Sequence, residues 1–235
     1  MKQKKIRSCI FFGDLENKKI KTKKKIINKQ EKFKQSKFPH RNPQKESFSK
    51  RMGKNLEDLI IKEVPETIAG FVAEPVQGAG GVIPPSKGYF DVIQPILKKY
   101  KIPFVVDEVI TGLGRTGNLW GSETYNLQPD IIISSKALTA GFFPMGAVIL
   151  KQEMADEFVQ VSEEAEEFPH GFTSGGHPVG CAIALKAIDV IINEGLLDNV
   201  KNVSPYFLNR LKEFDEYEHI GETRGIGLMA ALEIV

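Results

Sequence analysis

Cysteine is nearly missing from this 235-residue chain, which has only Cys9 and Cys181. They lie far apart, and Cys181 sits in an apolar helical pattern. That excludes a disulfide framework and a cysteine-built metal site, and it fits a reducing, cytoplasmic setting. A long apolar run is also lacking. The longest nearly uncharged stretch, Ala137–Leu150, contains Pro144 and falls short of the roughly 18 residues a membrane span requires, so a soluble protein without a membrane partner is expected. No segment repeats. His170 and His177 flank a glycine-rich stretch without a third ligand beside them, so no metal is expected.

What is present divides by charge. Residues 1–54 hold 19 of the 32 Lys+Arg and 4 of the 30 Asp+Glu, a net +15, whereas residues 55–235 hold 13 and 26, a net −13. The only apolar cluster of the basic part is Ile6, Cys9, Ile10, Phe11 and Phe12, too short to build a core. Residues 1–55 therefore read as a basic, disordered tail. Such a block can tether to polyanions, but aromatic residues are not interleaved with its charges and no nucleic-acid module is recognisable, so no nucleic-acid partner is expected. A mitochondrial presequence would be richer in Arg and Ser on an amphipathic face.

From Leu56 the pattern becomes periodic. A short helix ends near Glu63, and buried strands are predicted at Ile68–Ala73, Pro103–Val106, Ile131–Ser134 and Gly146–Leu150. Ser86 is placed to cap a helix with the apolar face Phe90, Ile93, Ile96, Leu97 and Tyr100, which Pro95 weakens. Pro178 opens a long helix through Ile192, with Gly195 at its C-terminal cap, and another helix spans Val200–Phe214. Continuous apolar strands alternating with helices imply an α/β fold, a mostly parallel sheet with helices on both faces. Arg224–Val235 reads as a strand beginning a second lobe. The predicted division is a large domain at 56–195 and the start of a small C-terminal domain at 196–235.

In open parallel sheets ligands sit beyond the carboxyl ends of the strands, where this sequence places Glu74, Asp107 and Ser134-Ser135-Lys136. A lysine desolvated at such a place offers a neutral amine that can form a Schiff base with an aldehyde. Pyridoxal 5'-phosphate (PLP) supplies an aldehyde, and its chemistry needs a carboxylate paired with its ring nitrogen. Asp107 fits that role, although a carboxylate capping the following turn fits the same position. Gly112-Leu-Gly-Arg-Thr-Gly117 matches the dinucleotide pattern G-x-G-x-x-G, yet no helical periodicity follows it and the acids precede the glycines, which argues against a nicotinamide enzyme.

The segments Val106-Asp-Glu-Val-Ile-Thr-Gly-Leu-Gly-Arg-Thr-Gly117, Ser135-Lys-Ala-Leu-Thr-Ala-Gly141 and Pro144-Met-Gly-Ala147 resemble the signature of class III PLP-dependent aminotransferases. Glu74-Pro-Val-Gln-Gly-Ala-Gly-Gly81 and Gly171-Phe-Thr-Ser-Gly-Gly-His-Pro178 are similar to two further motifs of that family, in its order. The resemblance covers about residues 56–235. It implies PLP-dependent transferase fold type I and a transaminase that moves an amino group from an amine or omega-amino acid donor to a 2-oxo acid acceptor. By the same resemblance, Lys136 carries the Schiff base, Asp107 pairs with the pyridine nitrogen, Val109 packs on the ring and Gln77 approaches the ring hydroxyl.

Thr173 would reach the cofactor phosphate of a neighbouring subunit in a homodimer, or else cap a helix. Glu74 lies near the substrate, organises Gln77, or is structural. Arg115 and Arg224 sit in turns where bonds to backbone carbonyls are the expected job. The family also places a phosphate-binding loop and a ring-stacking aromatic residue upstream of Glu74, where this sequence has its basic tail. Uncovered apolar surface is therefore expected to favour aggregation. Two alternatives stay open: another PLP reaction on the same lysine and aspartate (aminomutase, racemase or decarboxylase), and a catalytically silent fragment whose basic tail binds polyanions.

Overall fold

A computed structural model describes residues 9–10, 25–27, 45–164 and 171–235. In chain order the elements are β1 (Cys9–Ile10), β2 (Lys25–Ile27), α1 (Lys45–Glu63), β3 (Ile68–Ala73), α2 (Tyr89–Lys99), β4 (Phe104–Asp107), α3 (Gly121–Thr124), β5 (Ile131–Ser134) and β6 (Ala147–Leu150). They continue with α4 (Gln152–Glu164), α5 (Pro178–Asn193), α6 (Leu196–Lys212), β7 (Ile220–Ile226) and β8 (Met229–Ile234). One six-stranded sheet runs β1-β6-β5-β4-β3-β2, and β7 and β8 form a separate two-stranded sheet among the described residues. The pairings β2 with β3, β3 with β4 and β4 with β5 are parallel; β6 pairs antiparallel with both β5 and β1. The predicted α/β class with a mostly parallel sheet is the class observed.

The strands form where β-branched and aromatic residues run without interruption, and the helices form where apolar residues recur at three and four positions. Leu56 and Ile60 of α1 and Phe90, Ile93 and Leu97 of α2 pack on Phe71 and Ala73 of β3 and on Phe104 and Val106 of β4. This is the main core. The alternate positions Val72 and Val105 point to the other face and are only half-buried among the described residues. A second cluster joins Leu113, Leu138, Ala147 and Ala184, with Trp120, Met145 and Ile188 against it, so α5 lies beneath the turn that follows β5.

Ile93 is 1% exposed at the centre of the main core. Ile93→Ala is expected to destabilise the chain by ~3 kcal/mol, through lost burial and the cavity left behind, as read from urea unfolding. Tyr125 leans on Phe90 in the same core, with ring centroids 6.2 Å apart, and burial pushes its hydroxyl up to about 12 from 10.0. A folded-state value above the unfolded one gives stability that is complete below pH ~10 and is lost as the pH rises toward ~12. Tyr125→Phe is therefore expected to flatten the fall of the urea midpoint between those two pH values.

Several boundaries differ from the sequence reading. The expected tail boundary at residue 55 falls inside α1, and β1 and β2 both lie within residues 1–55 and join the sheet. The remainder of residues 1–44 lies outside the described residues, and so does His170. Ser86 does not cap α2: the cap position is Gly88 in the left-handed region at φ 76°, while the Ser86 carbonyl accepts a bond from Tyr89 N at 3.0 Å. Gly195 follows the α5 cap residue Glu194 in the left-handed conformation (φ 69°), the place of a helix-terminating glycine, as expected, and it also opens α6. The C-terminal strand is a hairpin, because the chain reverses at Gly227 and Leu228.

Candidate active site

The parallel register brings the carboxyl ends of three strands to one edge. Ala73 is in register with Val106, and Asp107 with Ile133, so Glu74, Asp107 and the Ser134–Lys136 segment leave the sheet side by side. Asp107 is half-buried, and its Oδ1 accepts the Val109 N–H at 3.0 Å. The turn-capping reading is thus realised in one oxygen, while Oδ2 has no protein partner among the described residues. The backbone continues in sheet geometry for one more residue, since Glu108 N donates to the Ile133 carbonyl at 2.9 Å.

Lys136 begins a 3-10 turn, Lys136–Thr139, with φ 45°, a left-handed conformation that costs a residue with a Cβ about 1–2 kcal/mol. The turn is held around it. Leu138 N donates to the Ser135 carbonyl at 2.9 Å, Ser135 Oγ to the Met145 carbonyl at 3.0 Å and Thr139 Oγ1 to the Phe143 carbonyl at 2.5 Å. Lys136 is exposed, so the desolvation expected of it is not supplied by the described residues. Ser134 Oγ, two residues earlier, is buried without a hydrogen-bond partner among them.

The loop after β3 is closed at three points. Glu74 Oε2 accepts Gly78 N at 2.8 Å, Gln77 and Ile83 exchange both backbone bonds, and the Gly81 carbonyl accepts Arg224 Nε at 2.8 Å. Glu74 therefore organises the turn that carries Gln77. Arg224 takes the carbonyl-binding job its turn position implied, and it also pairs with Glu233 at 2.5 Å. The Gln77 side-chain amide makes no bond among the described residues. Thr173 stands exposed in the loop before α5, away from the helix cap, because the capping residue is His177, whose Nδ1 accepts Val179 N at 3.3 Å.

Three groups of complementary chemistry are thus left open at one end of the sheet: a carboxylate oxygen of Asp107, the Lys136 amine and the Gln77 amide. This set fits an aldehyde cofactor with a basic ring nitrogen and a ring hydroxyl. The glycine run Gly112–Gly117 opens no helix, and only the one-turn α3 follows it, so the dinucleotide reading fails on geometry.

The profile of the family "Aminotransferase class-III" matches residues 14–235. The chain belongs to that family. The class-III match begins well inside the expected basic tail. Gamma aminobutyrate transaminase 1, mitochondrial, of Solanum lycopersicum is 50% identical over 188 residues, which is 80% of this chain and 36% of that protein. Among solved structures, the PMP-bound form of an aminotransferase from Vibrio fluvialis is 62% identical with a TM-score of 0.79, over 81% of this chain and 42% of that one. An omega-aminotransferase from Paracoccus denitrificans is 59% identical with a TM-score of 0.81, over 84% and 44%. This class-III chain thus spans about a third of the length of the curated relatives it matches.

One residue of the site escaped the sequence reading. Glu108 is 1% exposed, and its partners lie up to 14 positions downstream, beyond the reach of any local pattern.

Proposed function

We propose that this class-III aminotransferase chain holds PLP between Asp107 and Lys136 and serves a transaminase that moves an amino group from an amine or omega-amino acid to a 2-oxo acid. The observation that carries the reading is the pairing of β4 with β5, which sets Asp107 and the Lys136 turn side by side with Asp107 Oδ2 and the lysine amine both open. When bound, the cofactor supplies an aldehyde that captures amines and a ring that draws electrons from the bond being broken.

The residues divide the remaining work. Asp107 Oδ2 would accept the ring N–H and keep that nitrogen protonated, with its direction set by the Val109 N–H on Oδ1. Val109 would pack on the ring, and Gln77 would approach the ring hydroxyl from a loop that Glu74 and Arg224 brace. Lys136 Nζ would hold the cofactor in the resting state. Released by the incoming amine, it would take and return the carbon-bound proton of the substrate, a role worth about 10²- to 10⁴-fold in rate. The relatives named above, all transaminases or aminotransferases, favour transamination over the mutase, racemase and decarboxylase alternatives.

Borohydride reduction of the PLP-loaded full-length chain, followed by peptide mapping, tests the assignment. A stable label on the Lys136 peptide is expected; a label elsewhere, or none, ends the reading.

The same proposal includes a homodimer in which the exposed Thr173 of one subunit reaches the phosphate at its neighbour's site, to be checked by light scattering. It includes a division at 195/196 between a large domain and a small C-terminal domain, which the separate β7–β8 sheet supports, with the large domain containing the whole of α1. Among the described residues no helix is long and apolar enough to cross a membrane. A cytoplasmic location rests on the widely spaced cysteines and on the higher identity to the bacterial structures than to the plant organelle enzymes.

A further inference from the structure

Glu108 follows the proposed ring-nitrogen partner directly, yet it faces away from the open end of the sheet. Its carboxylate sits in a closed cage. Oε2 accepts from Thr111 Oγ1 at 2.5 Å and from Gly121 N at 2.9 Å; Oε1 accepts from Ser122 N at 2.6 Å and from Ser122 Oγ at 2.7 Å. Four donors satisfy both oxygens, and no cation touches them among the described residues. A buried carboxylate is tolerated only when its lone pairs are filled in this way, and losing such a network is costly.

The cage also accounts for Gly112, the first glycine of the dinucleotide-like run, and for Gly121 beyond that run. A Cβ at Gly112 would lie 2.7 Å from the Glu108 carbonyl oxygen, and one at Gly121 would lie 2.7 Å from Thr111 Cβ and 3.0 Å from Glu108 Oε2. Both glycines are required because the chain folds tightly around Glu108. Its backbone is held as well, by Glu108 N on the Ile133 carbonyl and Gly112 N on the Glu108 carbonyl, each at 2.9 Å. Between these fixed points lies Val109, whose N–H sets the direction of the Asp107 carboxylate.

We propose that Glu108 is a positioning residue: its caged carboxylate fixes the 108–112 turn, and through Val109 N–H that turn aims Asp107 Oδ2 at the cofactor ring. This inference rests on the PLP reading and adds to it a residue that never touches the cofactor. Glu108→Gln keeps the shape but presents an NH₂ group to donors that need an acceptor, so the cage must open on one side.

The test uses the full-length chain, titrated with PLP and followed by visible absorbance across pH, with circular dichroism as the check of fold. Glu108→Gln is expected to bind PLP about tenfold more weakly, the loss of one charge-assisted bond. It is also expected to move the pH midpoint of the visible band in the same direction as Asp107→Asn. Ser122→Ala and Thr111→Val, which each remove one donor, should give smaller shifts of the same sign, and they carry the test if Glu108→Gln does not fold. Variants that melt earlier but keep the wild-type affinity and midpoint would show that Glu108 only stabilises, and would overturn the inference alone. A wild-type chain that takes up no PLP would overturn the functional reading and the inference together.

Discussion

Lys136→Ala is expected to lower transaminase turnover by about 10⁴-fold, because one amine is assigned both the covalent hold on the cofactor and the movement of the substrate proton. The loss should appear in chemistry, with little change in stability. Lys136 is exposed and makes no hydrogen bond among the described residues, so the thermal midpoint of the alanine variant should stay within a few degrees of wild type. Its backbone adds a sharper check. At φ 45° a residue with a Cβ is strained, so Lys136→Gly should be at least as stable as Lys136→Ala and equally inactive. Turnover would be followed by formation of the oxo product from the amine donor, and stability by thermal unfolding. An alanine variant that keeps more than about one hundredth of the wild-type rate would remove Lys136 from the mechanism.

The legible parts of this molecule were those whose cause is local. β3 and β5 stand where their apolar runs begin and end, and the acids and the lysine could be picked out because polar residues break the apolar runs of β3, β4 and β5 at Glu74, Asp107 and Ser134. What the sequence concealed depends on partners far along the chain. The Ser86 cap failed because a left-handed glycine two residues later starts the helix, and tertiary packing of Phe90 and Ile93 fixes where it begins. The β1 and β2 strands are two and three residues long and carry no periodicity; they exist through pairing with β6 and β3. Glu108 looked like a second strand-end acid beside Asp107. Alternation along an extended chain sends the two carboxylates to opposite sides, one toward the open end and one into the cage of Thr111, Gly121 and Ser122. The same cage accounts for Gly112 of the nucleotide-like run, while Gly114 and Gly117 are left-handed (φ 102° and 91°) and lie against Leu197 and Lys201 of α6.

Asp107→Asn is expected to lower kcat by about 10²- to 10³-fold, the usual cost of removing one preorganised electrostatic partner from a reacting group. The substitution is nearly isosteric, and the asparagine oxygen can still accept the Val109 N–H that Oδ1 accepts at 3.0 Å, so the 108–112 turn and its Glu108 cage should persist. What changes is the group facing the ring: an NH₂ donor replaces Oδ2 and cannot hold a protonated nitrogen. If the amide flips to present its oxygen to the ring, it must turn its NH₂ toward the Val109 N–H, so neither orientation satisfies both neighbours. A carboxylate is the only side chain of this size that accepts on both sides at once. Binding of PLP should therefore weaken less than turnover falls, since the lysine attachment and Gln77 are untouched. Parallel measurement of kcat and of PLP release on dilution separates the two effects. A variant whose kcat stays within about fivefold of wild type would mean that Oδ2 does not face the ring, and that the Asp107 carboxylate serves only to cap the turn.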